Sequence, residues 1–202
     1  MIQSVKFDSL NMDINKLANT TKTFIVKRLL EITGISVSFF GLLLLIALIS
    51  YSPSDPNFIF SENTDIKNLL GFRGSYVSDL FFQSIGLISY LVPITFVFTG
   101  ITIFRIKKFF FIIENTFHII LYSLIGSLFF SYFHTNTFTL YINGNGGFVG
   151  NHLNQTFLNS LINSYESFIY YVLIILILSL FLLSINFSLK NFYLSLKKIF
   201  LT

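Results

Sequence analysis

Four long stretches of this chain contain no Asp, Glu, Lys or Arg. They run from Ile32 to Ser54, from Leu80 to Phe104, from Asn115 to Tyr165 and from Ser167 to Leu189. An α-helix rising about 1.5 Å per residue needs about 20 apolar residues to cross roughly 30 Å of hydrocarbon, and a charge at its centre costs several kcal/mol. Each stretch is therefore long enough to span a bilayer.

The third stretch is too long for one helix, and its apolar density falls after Phe133, where a polar segment with several glycines begins. It therefore supplies one span. The predicted spans are residues 30–50, 80–104, 112–133 and 168–187. A composition of 53% hydrophobic and 11% charged residues lies outside the range of soluble domains. The predicted fold class is an all-α integral membrane protein with four transmembrane helices.

The chain divides into three predicted parts. Residues 1–28 are polar and predict a loose cytoplasmic arm, residues 29–190 a four-helix membrane domain, and residues 191–202 a basic cytoplasmic tail. About thirty mixed-charge residues precede the first span, and its apolar run is longer than a signal-peptide core. We therefore expect this span to be retained.

The basic residues predict the orientation of the spans. Lys and Arg number five before the first span, three between the second and third, and three after the fourth, whereas the two other connections carry only Lys67 and Arg73. Positive residues near span ends stay cytoplasmic, so both termini are predicted to be inside. These clusters lie where anionic lipid headgroups attract them, which favours membrane lipids over nucleic acid as partners.

The two outer connections each predict a helix. Pro53 and Pro56 end the first helix, because proline lacks an N–H and disfavours helix in the residue before it. Thr64 to Leu70 then predicts a short outer helix, with Asn63 or Thr64 as N-cap and Gly71 as its stop. In the second connection, residues 149–163 alternate apolar and amide side chains at helical spacing and predict an amphipathic helix before the fourth span. This helix either lies at the membrane interface or dips back into the bundle.

Small residues and a proline indicate how the spans pack. Pro93 falls near the middle of the second span and predicts a kink that frees the carbonyl of Ser89. Such breaks build binding sites in transporters, although a purely structural role is favoured here. Small residues that let helix backbones approach recur at packing intervals: Gly34, Ser38 and Gly41 in the first span and Ser123, Ser127 and Ser131 in the third. Whether they face the same chain or another copy stays open.

The candidates for chemistry are few, and neither a cofactor nor a metal site is predicted. The chain has no cysteine. His118 and His134 are sixteen residues apart, about 24 Å along a helix, and cannot share a metal; His118 could pair with Glu114 at the membrane boundary. The glycine-rich run at 144–150 lacks the glycine that a dinucleotide pattern requires at position 149, and predicts a tight turn.

Three motifs resemble the N-terminal membrane domain of FtsK/SpoIIIE-type DNA translocases. Residues 48–58 (LISYSPSDPNF) resemble the junction after that domain's first helix, and residues 68–93 resemble the passage into its second. Residues 146–150 (GGFVG) resemble the glycine turn before its last outer helix. Ser75 departs from the alanine usual in the family. The resemblance covers about residues 28 to 190.

The resemblance implies a membrane anchor in the bacterial inner membrane. Such a domain holds a translocase at the division septum, contacts other division proteins and serves cell division and chromosome segregation, and the family's hexameric motors imply a homo-oligomer. The motor is absent from this chain, so no catalytic residue and no direct DNA binding are predicted; the chain is expected to be either a fragment or a stand-alone module. The positions expected to shape loops and bundle are Pro53, Asp55, Pro56, Gly71, Gly74, Asp79, Gly86, Pro93, Gly146, Gly147 and Gly150.

An alternative function uses other residues. A small transporter or a haem-binding membrane protein would be built on Pro93, Glu114 and the histidines. The uncharged interiors of the spans argue against transport, because ion and substrate pathways normally place charged residues inside spans. A haem band in a visible absorption spectrum of the purified protein would favour this alternative over the anchor.

Overall fold

The described part of the chain is built from helices. The computed structural model describes residues 2–56, 65–135, 143–188 and 197, with side chains from Asn19 onward. In chain order the elements are α1 (Ile2–Ile49), α2 (Gly71–Ile85), a 3₁₀ helix (Gly86–Tyr90), α3 (Leu91–Ile106), α4 (Phe110–Phe133), α5 (Gly147–Asn154), α6 (Phe157–Ser164) and α7 (Glu166–Ser184).

Within the described residues, four helical segments are long and apolar enough to cross a membrane. They are Asn19–Ile49, Gly71–Ile106, Phe110–Phe133 and Glu166–Ser184, which confirms the four predicted spans. Large apolar side chains remain exposed along their outward faces, as at Phe39 (60%) and Ile175 (64%). Water would make such faces an aggregation hazard, whereas lipid solvates them. The chain is an all-α, multi-pass membrane protein.

The first helix is much longer than its predicted span. It begins at Ile2, so the residues expected to form a loose arm are helical. The first 33 residues contain neither glycine nor proline, and nothing in their backbone chemistry interrupts a helix that the apolar span already stabilises. The division of the chain at residue 28 stays a prediction.

The second membrane segment breaks at Gly86 and not at Pro93. Gly86 has φ 70° and ends α2, whereas Pro93 is the third residue of α3, where its missing N–H would have no partner within the helix. The kink predicted at Pro93 was therefore misplaced. The 3₁₀ helix and α3 together are about 34 Å long at standard rises, which is enough to cross the hydrocarbon without α2.

Glycines let α1 and α3 pack with their backbones in contact. A Cβ added to Gly100 would lie 2.3 Å from the carbonyl oxygen of Gly34, and one added to Gly41 would lie 2.9 Å from that of Pro93. Ser38 Oγ donates a hydrogen bond to the carbonyl of Val97 at 3.0 Å. The small residues of the first span therefore face a neighbour in the same chain.

Hydrogen bonds between side chains join α3, α4 and α7 inside the bundle. The Thr95 hydroxyl lies 3.1 Å from that of Tyr122 and 3.0 Å from that of Ser184. Asn115 donates to Thr99 Oγ1 at 2.8 Å. No water is available in hydrocarbon, so buried polar groups must find partners on neighbouring helices, and such bonds help to hold the helices together.

The outer connections differ from their predictions. Residues 65–70 are not helical, and Gly71 begins α2 where it was expected to end a helix; the predicted start at Thr64 lies outside the described residues, as does most of the tail. The amphipathic helix is present as two helices, α5 and α6. Thr156 separates them, because its Oγ1 accepts from the N–H of Leu158 and caps α6.

Candidate interaction site at the loop end

The motif positions gather at one end of the bundle, here called the loop end. It comprises residues 51–56, 65–70 and 143–165 together with α2, which packs against both α1 and α5. The opposite end, here called the basic end, carries Lys22, Lys27, Arg28, Arg105, Lys107 and Lys108. The predicted orientation places the loop end outside and the basic end in the cytoplasm.

Asp55 organises the first connection. Its side chain is 2% exposed, and its two carboxylate oxygens accept the backbone N–H groups of Lys67 at 3.0 Å and Asn68 at 2.8 Å. The next residue, Pro56, is buried, and its carbonyl accepts from Ser75 Oγ at 2.9 Å. A carboxylate that takes two N–H groups is a strong acceptor. These bonds fix the backbone of residues 67 and 68, in a stretch of the chain (65–70) that is not helical.

Asn68 connects this turn to the end of α1. Its amide donates to the carbonyl of Ala47 at 2.9 Å, and its Oδ1 accepts the N–H of Leu70 at 3.0 Å. Gly74 leaves room for this amide, because a Cβ there would lie 2.1 Å from Asn68 Oδ1. Burial at 4% exposure leaves the amide dependent on these partners.

Asp79 joins α2 to the residues that follow α1. Its Oδ1 accepts from the Tyr51 hydroxyl at 3.1 Å and lies 3.5 Å from the amide nitrogen of Gln83. The Tyr51 ring also packs against Phe82, with ring centroids 4.7 Å apart. Asp79 is 4% exposed, so the carboxylate positions the chain and is closed to a ligand from solvent.

Gly86 and the glycine turn form the second part of the site. The N–H of Leu87 donates to the carbonyl of Asn145 at 2.9 Å, and a Cβ on Gly86 would lie 2.0 Å from that same oxygen. From the other side, a Cβ on Gly147 would lie 2.6 Å from the nitrogen of Gly86. Two backbones therefore meet where neither can carry a side chain.

The glycine turn also docks on α4. Cβ atoms on Gly146 and Gly150 would lie 2.5 Å and 2.2 Å from the carbonyl oxygen of Ser127. Ser127 Oγ donates to the carbonyl of Ile85 at 2.9 Å, and Ser131 Oγ to Asn151 Oδ1 at 3.0 Å. These serines of the third span thus face the same chain, in line with the packing role predicted for them.

Three motif positions take no part in these contacts. Pro53 is exposed, Gly71 has open space around its Cα, and Pro93 lies in the contact between α1 and α3. Sequence reasoning missed Asn68 and Asn145 as buried hydrogen-bonding residues. A single Asn in a polar loop does not indicate a buried residue, because loop amides are usually exposed to solvent. Only the fold buries these two.

The histidines have structural surroundings. His118 Nδ1 lies 2.8 Å from the backbone carbonyl of Glu114, so the predicted pair uses the main chain and not the carboxylate. His134 packs among aromatic rings that include Tyr170, and His152 stacks on Phe148. Across the residues with described side chains, no group of three or more His, Asp or Glu could hold a metal ion.

Around the rigid loop end lie exposed apolar side chains, here called the apolar rim. Their exposed fractions are 77% for Leu69, 53% for Phe72, 63% for Phe148, 73% for Phe157 and 65% for Tyr165. They project from the segments held by Asp55, Asn68 and the glycine turn. Aromatic side chains on a fixed backbone are suited to binding another protein or the membrane surface, because little ordering is needed on contact.

Comparison with known proteins decides the family. Residues 26–197 match the family model described as the 4TM region of DNA translocase FtsK/SpoIIIE. The chain belongs to this family. The recognition of its membrane domain from three motifs is thereby confirmed, and the match covers the membrane region of the translocase, without its motor.

Individual FtsK proteins match over shorter segments. DNA translocase FtsK of Azospirillum brasilense is 36% identical over 76 residues, which is 37% of this chain and 12% of that protein. The Shewanella oneidensis protein of the same name is 36% identical over 81 residues, 40% of this chain and 9% of that protein. The matches therefore cover about a tenth of the relatives' length. No solved structure matches the chain.

Proposed function

We propose that this chain is the membrane anchor of a septal DNA translocase and its contact with the division machinery. The family match over residues 26–197 is the observation that carries the proposal. Four spans fix the domain in the bacterial cytoplasmic membrane, and the loop end offers a surface to other division proteins. The role is positioning, in the service of cell division and chromosome segregation, and involves neither catalysis nor DNA contact by this chain.

The geometry of the loop end supports an interaction role. Buried groups such as Asp55 and Asn68 hold its backbone, while the side chains of the apolar rim are exposed. A surface fixed in this way loses little conformational entropy on binding. Assembly into the hexamer implied by family motors would place several such surfaces side by side.

A photo-crosslinking experiment in dividing cells tests the interaction. A photoreactive phenylalanine analogue replaces Phe72 or Phe148 in the apolar rim, and Phe39 on the lipid-facing side of α1 serves as the control. We expect adducts with division proteins from the rim positions and only lipid adducts from position 39. A rim that gives lipid adducts alone would contradict the contact role.

Localisation provides a separate test of the anchor. A fluorescent fusion of the full chain is expected to concentrate at the septum of dividing cells. Uniform fluorescence around the cell periphery would remove the septal assignment and leave the membrane fold intact.

A further inference from the structure

The basic end contains a pocket with cationic walls. Residues of α1, of the end of α3 and of the turn between α3 and α4 line this open pocket, which has a volume of about 730 Å³. The cationic residues that line it are Lys22, Lys27, Lys107 and Lys108, and the apolar residue Leu30 also lines it. The pocket lies directly before the charge-free run of α1, which begins at Ile32. It is therefore at the depth where a span passes from headgroups into hydrocarbon.

Most of this positive charge is unbalanced. Glu31 lies 2.5 Å from Lys107 Nζ and also 2.5 Å from Arg28, so one carboxylate serves two cations. Among the side chains that the structure describes, Lys22, Lys27 and Lys108 have no carboxylate within ion-pair distance. Like charges around one pocket repel each other. An anion in the pocket would relieve that repulsion.

A separate apolar groove lies next to the pocket, along the contact between α1 and α3. It has a volume of about 480 Å³, and Gly34 and Gly100 form part of its lining, where their missing side chains leave space. Ile35, Phe104 and Arg105 also line it. Leu30 of the pocket and Gly34 of the groove are one helical turn apart on α1. On α3 the groove is lined by Arg105 and the pocket by Ile106, so the two cavities adjoin at the end of that helix.

We propose that the pocket and groove bind an anionic phospholipid, with its phosphate among the lysines and an acyl chain in the groove. Basic pockets between transmembrane helices on the cytoplasmic side suit anionic headgroups, and an apolar groove directly below suits the attached chain. Free phosphate or nucleic acid would use the lysines and leave the groove empty. A peptide would bring backbone polar groups into an apolar groove that offers them no partners.

Titration with labelled lipid tests the headgroup contact. The purified full chain in zwitterionic detergent is titrated with phosphatidylglycerol that carries a fluorescent acyl chain, and with the matching phosphatidylcholine. We expect K27Q/K108Q to weaken phosphatidylglycerol binding by about thirtyfold, because each of the two cations lost near an anionic lipid should weaken it by about fivefold. The control K67Q/R73Q removes the same charge from the loop end and should change binding less than about twofold on the same scale.

A second pair of variants tests the groove. I35W should fill it and weaken lipid binding by about tenfold, the equivalent of about two methylene contacts. L178W places the same bulk on the exposed face of α7 and should leave binding unchanged. Circular dichroism and a monodisperse elution profile establish that each variant is folded.

Three results would overturn the assignment. Equal losses in K27Q/K108Q and K67Q/R73Q would show only general charge attraction. Displacement of the lipid by millimolar inorganic phosphate would show a site for free anions. A nucleic-acid surface would be shown if the protein bound a short DNA duplex more tightly than phosphatidylglycerol and if I35W left that DNA binding unchanged. The proposal is independent of the septal role, since none of these measurements involves a division protein.

Discussion

Asp55 Oδ2 accepts the backbone N–H of Asn68 at 2.8 Å, and the Asn68 amide in turn donates to the carbonyl of Ala47 near the end of α1. One buried acid thus connects the residues after α1 to those before α2. This pair holds the described residues on the two sides of the first connection, 51–56 and 65–70, against each other.

Replacement of Asp55 by alanine should destabilise the loop end. Two backbone N–H groups lose a charged acceptor in a buried position, and we expect a loss of about 2 to 4 kcal/mol in the free energy of unfolding. Unfolding in mixed micelles, followed by circular dichroism, measures it. Asp65→Ala is the matched control, because Asp65 is exposed, and it should change stability by less than about 0.5 kcal/mol. Equal effects of the two variants would contradict the role given to Asp55.

The contact between Gly86 and Asn145 predicts a large effect of a single methyl group. A Cβ on Gly86 would lie 2.0 Å from the Asn145 carbonyl oxygen, and the residue also has φ 70°. Gly86→Ala should therefore cost about 3 to 5 kcal/mol, from overpacking and from the left-handed backbone.

Gly144→Ala tests a positive φ without the close contact. Gly144 has φ 65° but open space around its Cα, so alanine there should cost only about 1 to 2 kcal/mol. The same unfolding measurement compares the two variants. If both lose the same stability, the close approach of the two backbones does not matter.

An added methyl group should reduce stability more at the contact between α1 and α3 than at the contact between α4 and Ile88. Alanine at Gly100 meets the Gly34 carbonyl, whereas alanine at Gly126 meets the Ile88 side chain at 2.4 Å. A side chain can change rotamer and a helix backbone cannot, so Gly100→Ala should destabilise the protein by about 2 kcal/mol more. Thermal unfolding in detergent tests the order, and a larger effect at Gly126 would contradict it.

Cysteine labelling tests the orientation predicted from charge. The chain has no cysteine, so single substitutions at the exposed Lys67 and Lys108 report on one position each. We expect a membrane-impermeant maleimide to label Lys67→Cys in intact cells, and Lys108→Cys only after permeabilisation. The opposite pattern would show that the loop end is cytoplasmic.

Several structural details were beyond sequence reasoning, for identifiable reasons. The break in the second membrane segment was assigned to Pro93 because proline is the stronger local signal. Instead α2 ends at Gly86, whose φ is 70°, and the Asn145 carbonyl occupies the place that a side chain would take there. Residues 65–70 were expected to be helical because their capping and stop residues fit a helix. Instead, the distant Asp55 carboxylate holds the N–H groups of Lys67 and Asn68 in a non-helical turn.

The sequence by itself determined that the chain crosses a membrane four times. A long apolar run without charges is stable as a helix in the hydrocarbon of a bilayer, where a charged residue would be costly. It also determined the family, through motifs rich in glycine and proline, two residues that restrict or permit particular backbone conformations. Only the tertiary structure decided which residues these motif positions contact. Gly34 pairs with Gly100, Gly86 with Asn145, and Asp55 with Asn68 across distances in the chain that no local pattern encodes, because close approach and burial arise only when the helices have packed.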